Sequence, residues 1–290
     1  MTDEITGSEG FGAKAPPRLW QALISLCQSS RLSWVGRLLA PFARKVVLSQ
    51  PAALPVDLEL KDFRLRCQFT DNYSEKKFVF TPWRYDAHER RMLAECLAQG
   101  GDFLDIGANI GLYTLTAAVA LGNKGGRIVA FEPNPVTLQR LKTNIAANRK
   151  LFGEAVTLEI LPIGIADQAT EFTLHVDSTN LGECSIVDGG RYSGKKEVST
   201  GVTVQCRPLL NVLEDLQMDR ITVLKIDIEG AEDLALAPYL ESAPDSLLAK
   251  HIFIENSQHI WSIDLFERLE RRGYRRIFAS RLNSIFALES

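Results

Sequence analysis

An α/β fold with a mostly parallel sheet and helices on both faces is predicted by three stretches of this sequence. The first is Phe103-Leu104-Asp105-Ile106, a short apolar strand that passes through Gly107 and Gly111 into the helix-like run Leu112–Ala118. A strand turning through glycines into a helix opens a nucleotide-binding α/β unit. The second is Arg127–Phe131, a strand that ends on Glu132, 21 residues after Gly111. The third is Ile221–Ile226, an apolar strand that delivers Lys225, Asp227 and Glu229 to its carboxyl end. Open α/β sheets bind ligands at that end of their strands. Together they give a Rossmann-like plan.

The elements follow in order. Residues 1–17 are polar and carry Gly, Ala and Pro, which predicts a flexible tail. Residues 18–84 read as an N-terminal appendage of helices and small strands. Between Gly10 and Val56 there is no Asp or Glu, but there are Lys14, Arg18, Arg31, Arg37, Arg44 and Lys45. Leu19, Leu23 and Leu26 recur at helical spacing, as do Leu38, Phe42 and Val46. A basic apolar helix in 18–50 is expected either to pack on the protein or a partner subunit, or to touch an anionic membrane surface. Residues 57–80 alternate apolar and polar, which predicts short strands at 58–60, 63–69 and Phe78-Val79-Phe80, with a turn at Asp71-Asn72.

Residues 85–290 read as the main domain. Asp86 and Glu89 suggest a capping box, and Met92, Leu93, Cys96 and Leu97 a buried helix face. Strands are predicted at 103–106, 127–131, 156–161, 222–227, 251–255, 274–278 and 284–288. The last two are too close for a crossover helix and must pair antiparallel. The sheet is therefore seven-stranded and mostly parallel, with one reversed strand. Residues 171–206 interrupt the alternation with two strand-like runs around a polar loop from Ser178 to Lys196, read as a lid over an acceptor.

The spacing of the glycine turn bears on the ligand. A dinucleotide site wants G-x-G-x-x-G to seat a pyrophosphate. Here the turn reads G-x-x-x-G, with Asp105 beside it. A carboxylate there repels a pyrophosphate and attracts the cationic amino-acid end of S-adenosylmethionine. Glu132, at the tip of the second strand, is placed to accept both ribose hydroxyls. Asn134 reads as the N-cap of the next helix and Pro135 as its first turn. Lys225 and Asp227 share one strand face, so an ion pair or a working site is expected there. Tyr85 and His88 are pocket candidates because their helix precedes the first central strand, and His259 is a weaker one.

Asp105-Ile106-Gly107-Ala108-Asn109-Ile110-Gly111, Phe131-Glu132-Pro133-Asn134-Pro135 and Leu224-Lys225-Ile226-Asp227-Ile228-Glu229-Gly230-Ala231-Glu232, in that order, resemble the FkbM family of S-adenosylmethionine-dependent methyltransferases. Weaker echoes are Asn144–Asn148, the polar run Asn180–Ser185 and Ile252–Glu255. The resemblance covers roughly residues 85–290. It implies the class I methyltransferase fold and S-adenosyl-L-methionine as cofactor. The matched motifs place Asp105, Gly107, Ala108, Asn109, Gly111, Glu132, Pro133 and Asn134 around the donor, and Lys225, Asp227 and Glu229 at the catalytic edge; Tyr85 joins the donor side only through the position of its helix. The resemblance further implies O-methylation of a hydroxyl on a sugar, glycolipid, glycan or secondary metabolite. A hydroxyl must lose a proton, so a general base is needed. Asp227 is the leading candidate, either as base or as holder of the donor's ammonium, with Lys225 orienting it.

Composition narrows the classes. The chain has 290 residues, 46% of them hydrophobic, enough for one large core plus an appendage. A net charge of −3 gives no global basic field for nucleic acid. No apolar run reaches the roughly 18 residues of a spanning helix, and Thr2–Glu9 does not resemble a secretory signal. Five scattered cysteines without a C-x-x-C pair argue against zinc and a disulfide framework. The expected location is cytoplasmic, with membrane association through 18–50 as the variant. Neither an H-x-x-x-H nor a tight carboxylate triad is evident from the spacing, so a metal at Asp227 and Glu229 is left open but not indicated. Two alternatives stay open on the residues: an NAD-dependent oxidoreductase, and a non-catalytic S-adenosylmethionine-binding scaffold.

Overall fold

The computed structural model describes residues 10–29, 33–50, 53–176, 184–186 and 200–289. They fall into two compact units. One takes in the chain up to Ala87 together with Lys142–Arg149; the other takes in His88–Leu141 and the chain from Lys150 onward.

In the first unit, α1 (Arg18–Gln28) packs on α2 (Ser33–Leu48). The inward residues are Trp20, Leu23, Ile24 and Cys27 from α1, and Ala40, Ala43 and Val47 from α2. The spacing follows the helical period expected for 18–50. β1 (Val56–Glu59) and β2 (Arg64–Cys67) pair antiparallel, Val56 opposite Cys67 and Glu59 opposite Arg64. Asp57 in β1 is buried. It accepts from the Gly12 and Lys14 amides at 2.7 and 3.1 Å and from Arg66 Nε at 2.7 Å. Burial works against its charge, but the Arg66 guanidinium and the two amides still hold its carboxyl below the usual range. Gly12 and Lys14 belong to the segment read as a tail, and Asp57 ties their amides to β1.

The strand expected at Phe78-Val79-Phe80 is corrected. Those residues end α3 (Tyr73–Phe80). Asn72 caps this helix by accepting from the Glu75 amide at 3.0 Å, so the Asp71-Asn72 turn signal marks a helix start. Three adjacent apolar residues fit either period. Here the cap decides.

The chain continues with α4 (Ala87–Leu97), β3 (Phe103–Ile106), α5 (Leu112–Leu121), β4 (Gly126–Phe131), α6 (Pro135–Ala147) and β5 (Val156–Leu161), all in the second unit apart from Ala87 and the Lys142–Ala147 end of α6. Next come β6 (Gly164–Ile165), β7 (Thr170–Val176), β8 (Cys184–Ile186), β9 (Thr200–Arg207) and α7 (Leu209–Asp215). The chain closes with β10 (Val223–Ile226), α8 (Glu232–Ser242), β11 (His251–Glu255), α9 (Leu265–Arg271), β12 (Tyr274–Ala279) and β13 (Asn283–Leu288). The main sheet has the order β12-β13-β11-β10-β3-β4-β5. β13 runs antiparallel to both neighbours and the other strands share one direction. This is the seven-stranded sheet with one reversed strand that the sequence predicts, within a residue or two at each strand end.

The central strands are buried on both faces, as parallel sheets require. One face places Leu104, Ile106, Phe131, Leu224, Ile226 and Ile254 against α7, α8 and α9. The other places Phe103, Ile128, Val223 and Phe253 against α4 and α5. A second sheet, in the order β6-β9-β7-β8, holds the interruption at 171–206. Its β7 and β9 match the two strand-like runs. β8 corrects part of the expected loop, since Leu174–Val176 pairs with Cys184–Ile186. The rest of that loop, 177–183 and 187–199, lies outside the described residues, and with it most of the Asn180–Ser185 echo.

Candidate active site

Four parallel strands end on one edge of the main sheet, and each contributes to a single cluster. β3 ends in the glycine turn. Gly107 has φ +81°, Asn109 +52° and Gly111 +91°, so the chain passes three times through the left-handed region before α5 begins. The Gly107 and Ala108 amides both donate to the Phe131 carbonyl, at 3.0 and 2.9 Å, which locks the turn to the end of β4. A Cβ at Gly107 would run into the Asp227 carbonyl oxygen, just past β10. Gly107 lets β3 and β10 lie side by side at the site.

Glu132 is buried at 7% exposure. Its Oε2 accepts from the Asn109 amide at 2.7 Å and its Oε1 from the Asn134 amide at 2.9 Å. One carboxylate therefore clasps the glycine turn to the start of α6. Burial pushes its carboxyl above the ordinary range, against the Thr137 hydroxyl and the two amides, which hold it down. A carboxylate has about four acceptor sites. Two are taken by these backbone amides, which leaves acceptor sites for further hydroxyls. Asn134 caps α6 as predicted: its side chain accepts from the Val136 amide at 2.9 Å.

Asp105 and Lys225 face each other in register on β3 and β10. Asp105 is fully buried. Its Oδ2 accepts from the Thr114 hydroxyl at 2.6 Å, while among the described residues Oδ1 has no hydrogen-bond partner and lies 4.0 Å from Lys225 Nζ. Burial pushes its carboxyl up, opposed by the Lys225 ammonium and the Thr114 hydroxyl. Lys225 Nζ also sits 3.3 Å from Asp227 Oδ2 and 4.8 Å above the Tyr113 ring. Two carboxylates and a ring face compensate a nearly buried cation. The ion pair expected from the strand period is present.

Asp227 is the exposed member of this chain of charges, its side chain 40% exposed. Glu229 follows at φ +55°. Glu255, at the tip of β11, completes a group whose carboxylate oxygens lie within 4.8 Å of one another. The sequence spacing alone does not show this grouping. Glu255 gave a sequence signal only as the end of a predicted strand. Its place comes from register: Ile226 pairs with Ile254, so the residues after each are neighbours. Burial, then the charges of Asp227, Glu229 and Glu232, push its carboxyl up to about 10, and it shares a hydrogen bond with Asp227. A set like this suits either a shared proton or a divalent cation.

Glu232 holds the turn behind the cluster. It accepts from the Ile228 and Gly230 amides at 2.9 and 3.2 Å and from Trp261 Nε1 at 2.8 Å. His259 is exposed. His88 stacks on Phe278 of β12 at 4.4 Å, on the far edge strand of the sheet. Tyr85 belongs to the first unit and packs edge-on against Phe78.

A glycine turn clasped by an acidic strand tip, on a seven-stranded sheet with one reversed strand, defines the Rossmann-like architecture of class I methyltransferases. The methyltransferase FkbM domain matches residues 105–276, more than half the chain and every residue of the cluster, and the chain belongs to that family. Methyltransferase sdnD from Sordaria araneosa is 30% identical over 179 residues, which cover 54% of this chain and 64% of that protein. The chain thus spans less than two thirds of that curated relative. Similar solved structures include methyltransferase FkbM from Methylobacillus flagellatus KT, with 18% identity over 75% of this chain and 55% of that one at a TM-score of 0.37. Another is an O-methyltransferase from Bacillus cereus in complex with SAH, with 14% identity over 70% of this chain and 81% of that one at a TM-score of 0.38.

Proposed function

We propose that this protein is an S-adenosylmethionine-dependent O-methyltransferase whose acceptor is a hydroxyl of a sugar, glycolipid, glycan or secondary metabolite. The observation that carries the reading is the juxtaposition, on neighbouring strands, of the Glu132-clasped glycine turn and the Lys225–Asp227 pair. The donor fits the residues present. Among the described residues Asp105 Oδ1 is a buried acceptor without a hydrogen bond, and Glu132 keeps acceptor sites beyond its two amide partners for ribose hydroxyls. When bound, S-adenosylmethionine supplies a methyl group already activated on sulfonium sulfur.

The protein's own residues then have three tasks. The turn from Gly107 to Gly111, with Glu132, positions. Lys225, held between Asp105 and Asp227, fixes the Asp227 carboxylate. Asp227, the member of the pair that solvent reaches, would accept the proton of the acceptor hydroxyl as general base. Glu255 holds its own proton toward Asp227, which limits like-charge repulsion in the cluster. A positioned general base contributes about 10²–10⁴-fold, and alignment of acceptor and donor supplies the larger share.

The test uses donor with a deuterated methyl group. Cell glycolipids, glycans and small-molecule extracts are incubated with the protein and profiled by intact mass. Label on a hydroxyl oxygen supports the reading; label only on nitrogen or carbon, or none in any fraction, overturns it.

A further inference from the structure

The outer face of α2 has a composition unusual for a surface. At roughly 100° per residue, Trp34, Arg37, Leu38, Pro41, Phe42 and Lys45 fall in one arc, opposite the buried Ala40, Ala43 and Val47. Trp34 is 66% exposed, Leu38 71% and Phe42 56%. Three large apolar side chains on successive turns make a continuous stripe, which a soluble surface rarely shows without an occupant. Leu19 on α1 is a fourth, 60% exposed.

Charge identifies the occupant. Six cations and no acid lie between Gly10 and Val56, in a chain whose overall charge is −3. The basic stretch is therefore local and stands against an acidic remainder. Arg37 and Lys45 lie within the apolar arc, Arg44 beside it. Arg37 is held over the Trp83 ring at 5.7 Å. An apolar stripe with a tryptophan, interleaved with lysine and arginine, is the pattern of a helix lying in the plane of a bilayer interface. No helix among the described residues is long and apolar enough to cross a membrane.

We infer that α2 docks the protein on an anionic lipid surface, with Trp34, Leu38 and Phe42 in the headgroup–acyl boundary and Lys45, Arg44 and Arg37 among anionic headgroups. This claim stands apart from the methyl-transfer reading, because it uses no residue of the site.

The experiment is sedimentation of the full chain with vesicles of phosphatidylglycerol and phosphatidylcholine, beside vesicles of phosphatidylcholine alone. Binding should favour the anionic vesicles by about ten-fold or more and weaken as salt rises. Trp34→Ser, Leu38→Ser and Phe42→Ser together should lower it by on the order of ten-fold. Arg44→Gln with Lys45→Gln should do the same on anionic vesicles only. An unchanged melting temperature and donor affinity in each variant show that the fold persists. Equal recovery of wild type and both variants with vesicles overturns the inference. So does a concentration-dependent dimer that the apolar triple variant abolishes, since the stripe then covers a second copy of this chain.

Discussion

Replacing Glu132 with glutamine tests the clasp at the donor turn. The substitution keeps size and shape but turns one acceptor oxygen into an NH₂ donor. Both oxygens of Glu132 face backbone amides, Asn109 at 2.7 Å and Asn134 at 2.9 Å. Neither orientation of the amide satisfies both. One hydrogen bond to a charged group is lost, about 1.5–3 kcal/mol, and one buried N–H loses its partner, about 1–3 kcal/mol. Relief from burying a charge offsets part of this, because burial pushes the Glu132 carboxyl upward. The net expectation is a loss of about 2–4 kcal/mol. For a chain of this size that is a fall of roughly 3–7 °C in Tm by scanning calorimetry. Affinity for S-adenosylmethionine should drop about ten- to hundred-fold, because the turn loosens and the ribose acceptor is impaired. Wild-type melting and wild-type affinity together would refute both roles of Glu132.

Other outcomes follow from the same geometry. Gly107→Val should fail to give a stable protein, because its Cβ meets the Asp227 carbonyl and its φ is +81°; a variant that melts normally contradicts the strand packing described. Asp227→Asn should slow single-turnover transfer by about 10²–10⁴-fold. If donor affinity stays within a few fold, Asp227 is the base; if it falls in step with the rate, Asp227 holds the donor's ammonium; a wild-type rate excludes both. Glu255→Gln addresses pH. The carboxyl rises from an ordinary 4.5 to about 10 in the fold, so the stability of the neutral form is complete below 4.5 and is lost as pH climbs toward 10. The variant lacks that slope, so from pH 5 to 9 it should lose about 2–4 kcal/mol less than wild type, discounted for solvent at Asp227. Parallel pH profiles, or a magnesium-dependent rise in Tm that the variant abolishes, would instead assign the three carboxylates to a cation.

The parts of this protein that were legible in its sequence are those carried by local pattern. Strands at 103–106, 156–161 and 251–255 stand where the apolar runs place them, and the reversed strand follows from a loop too short for a crossover. The glycine turn and Glu132 read correctly as neighbours because a strand–turn–helix–strand unit fixes their relation. What could not be read depends on alignment across strands. Glu255 joins Asp227 only through the register of β10 with β11. Gly107 touches the Asp227 backbone only because β3 and β10 are adjacent. Phe78-Val79-Phe80 misled for a different reason: three adjacent apolar residues carry no period, and the cap at Asn72 outweighs them.

The most direct measurement is a calorimetric titration of the intact protein with S-adenosylmethionine, S-adenosylhomocysteine and NAD. A clasped G-x-x-x-G turn beside a buried carboxylate should bind the first two saturably at one site and give no heat with NAD. Saturable NAD binding, or none by any of the three ligands in a protein that melts cooperatively, would contradict the assignment of this strand edge to a methyl donor.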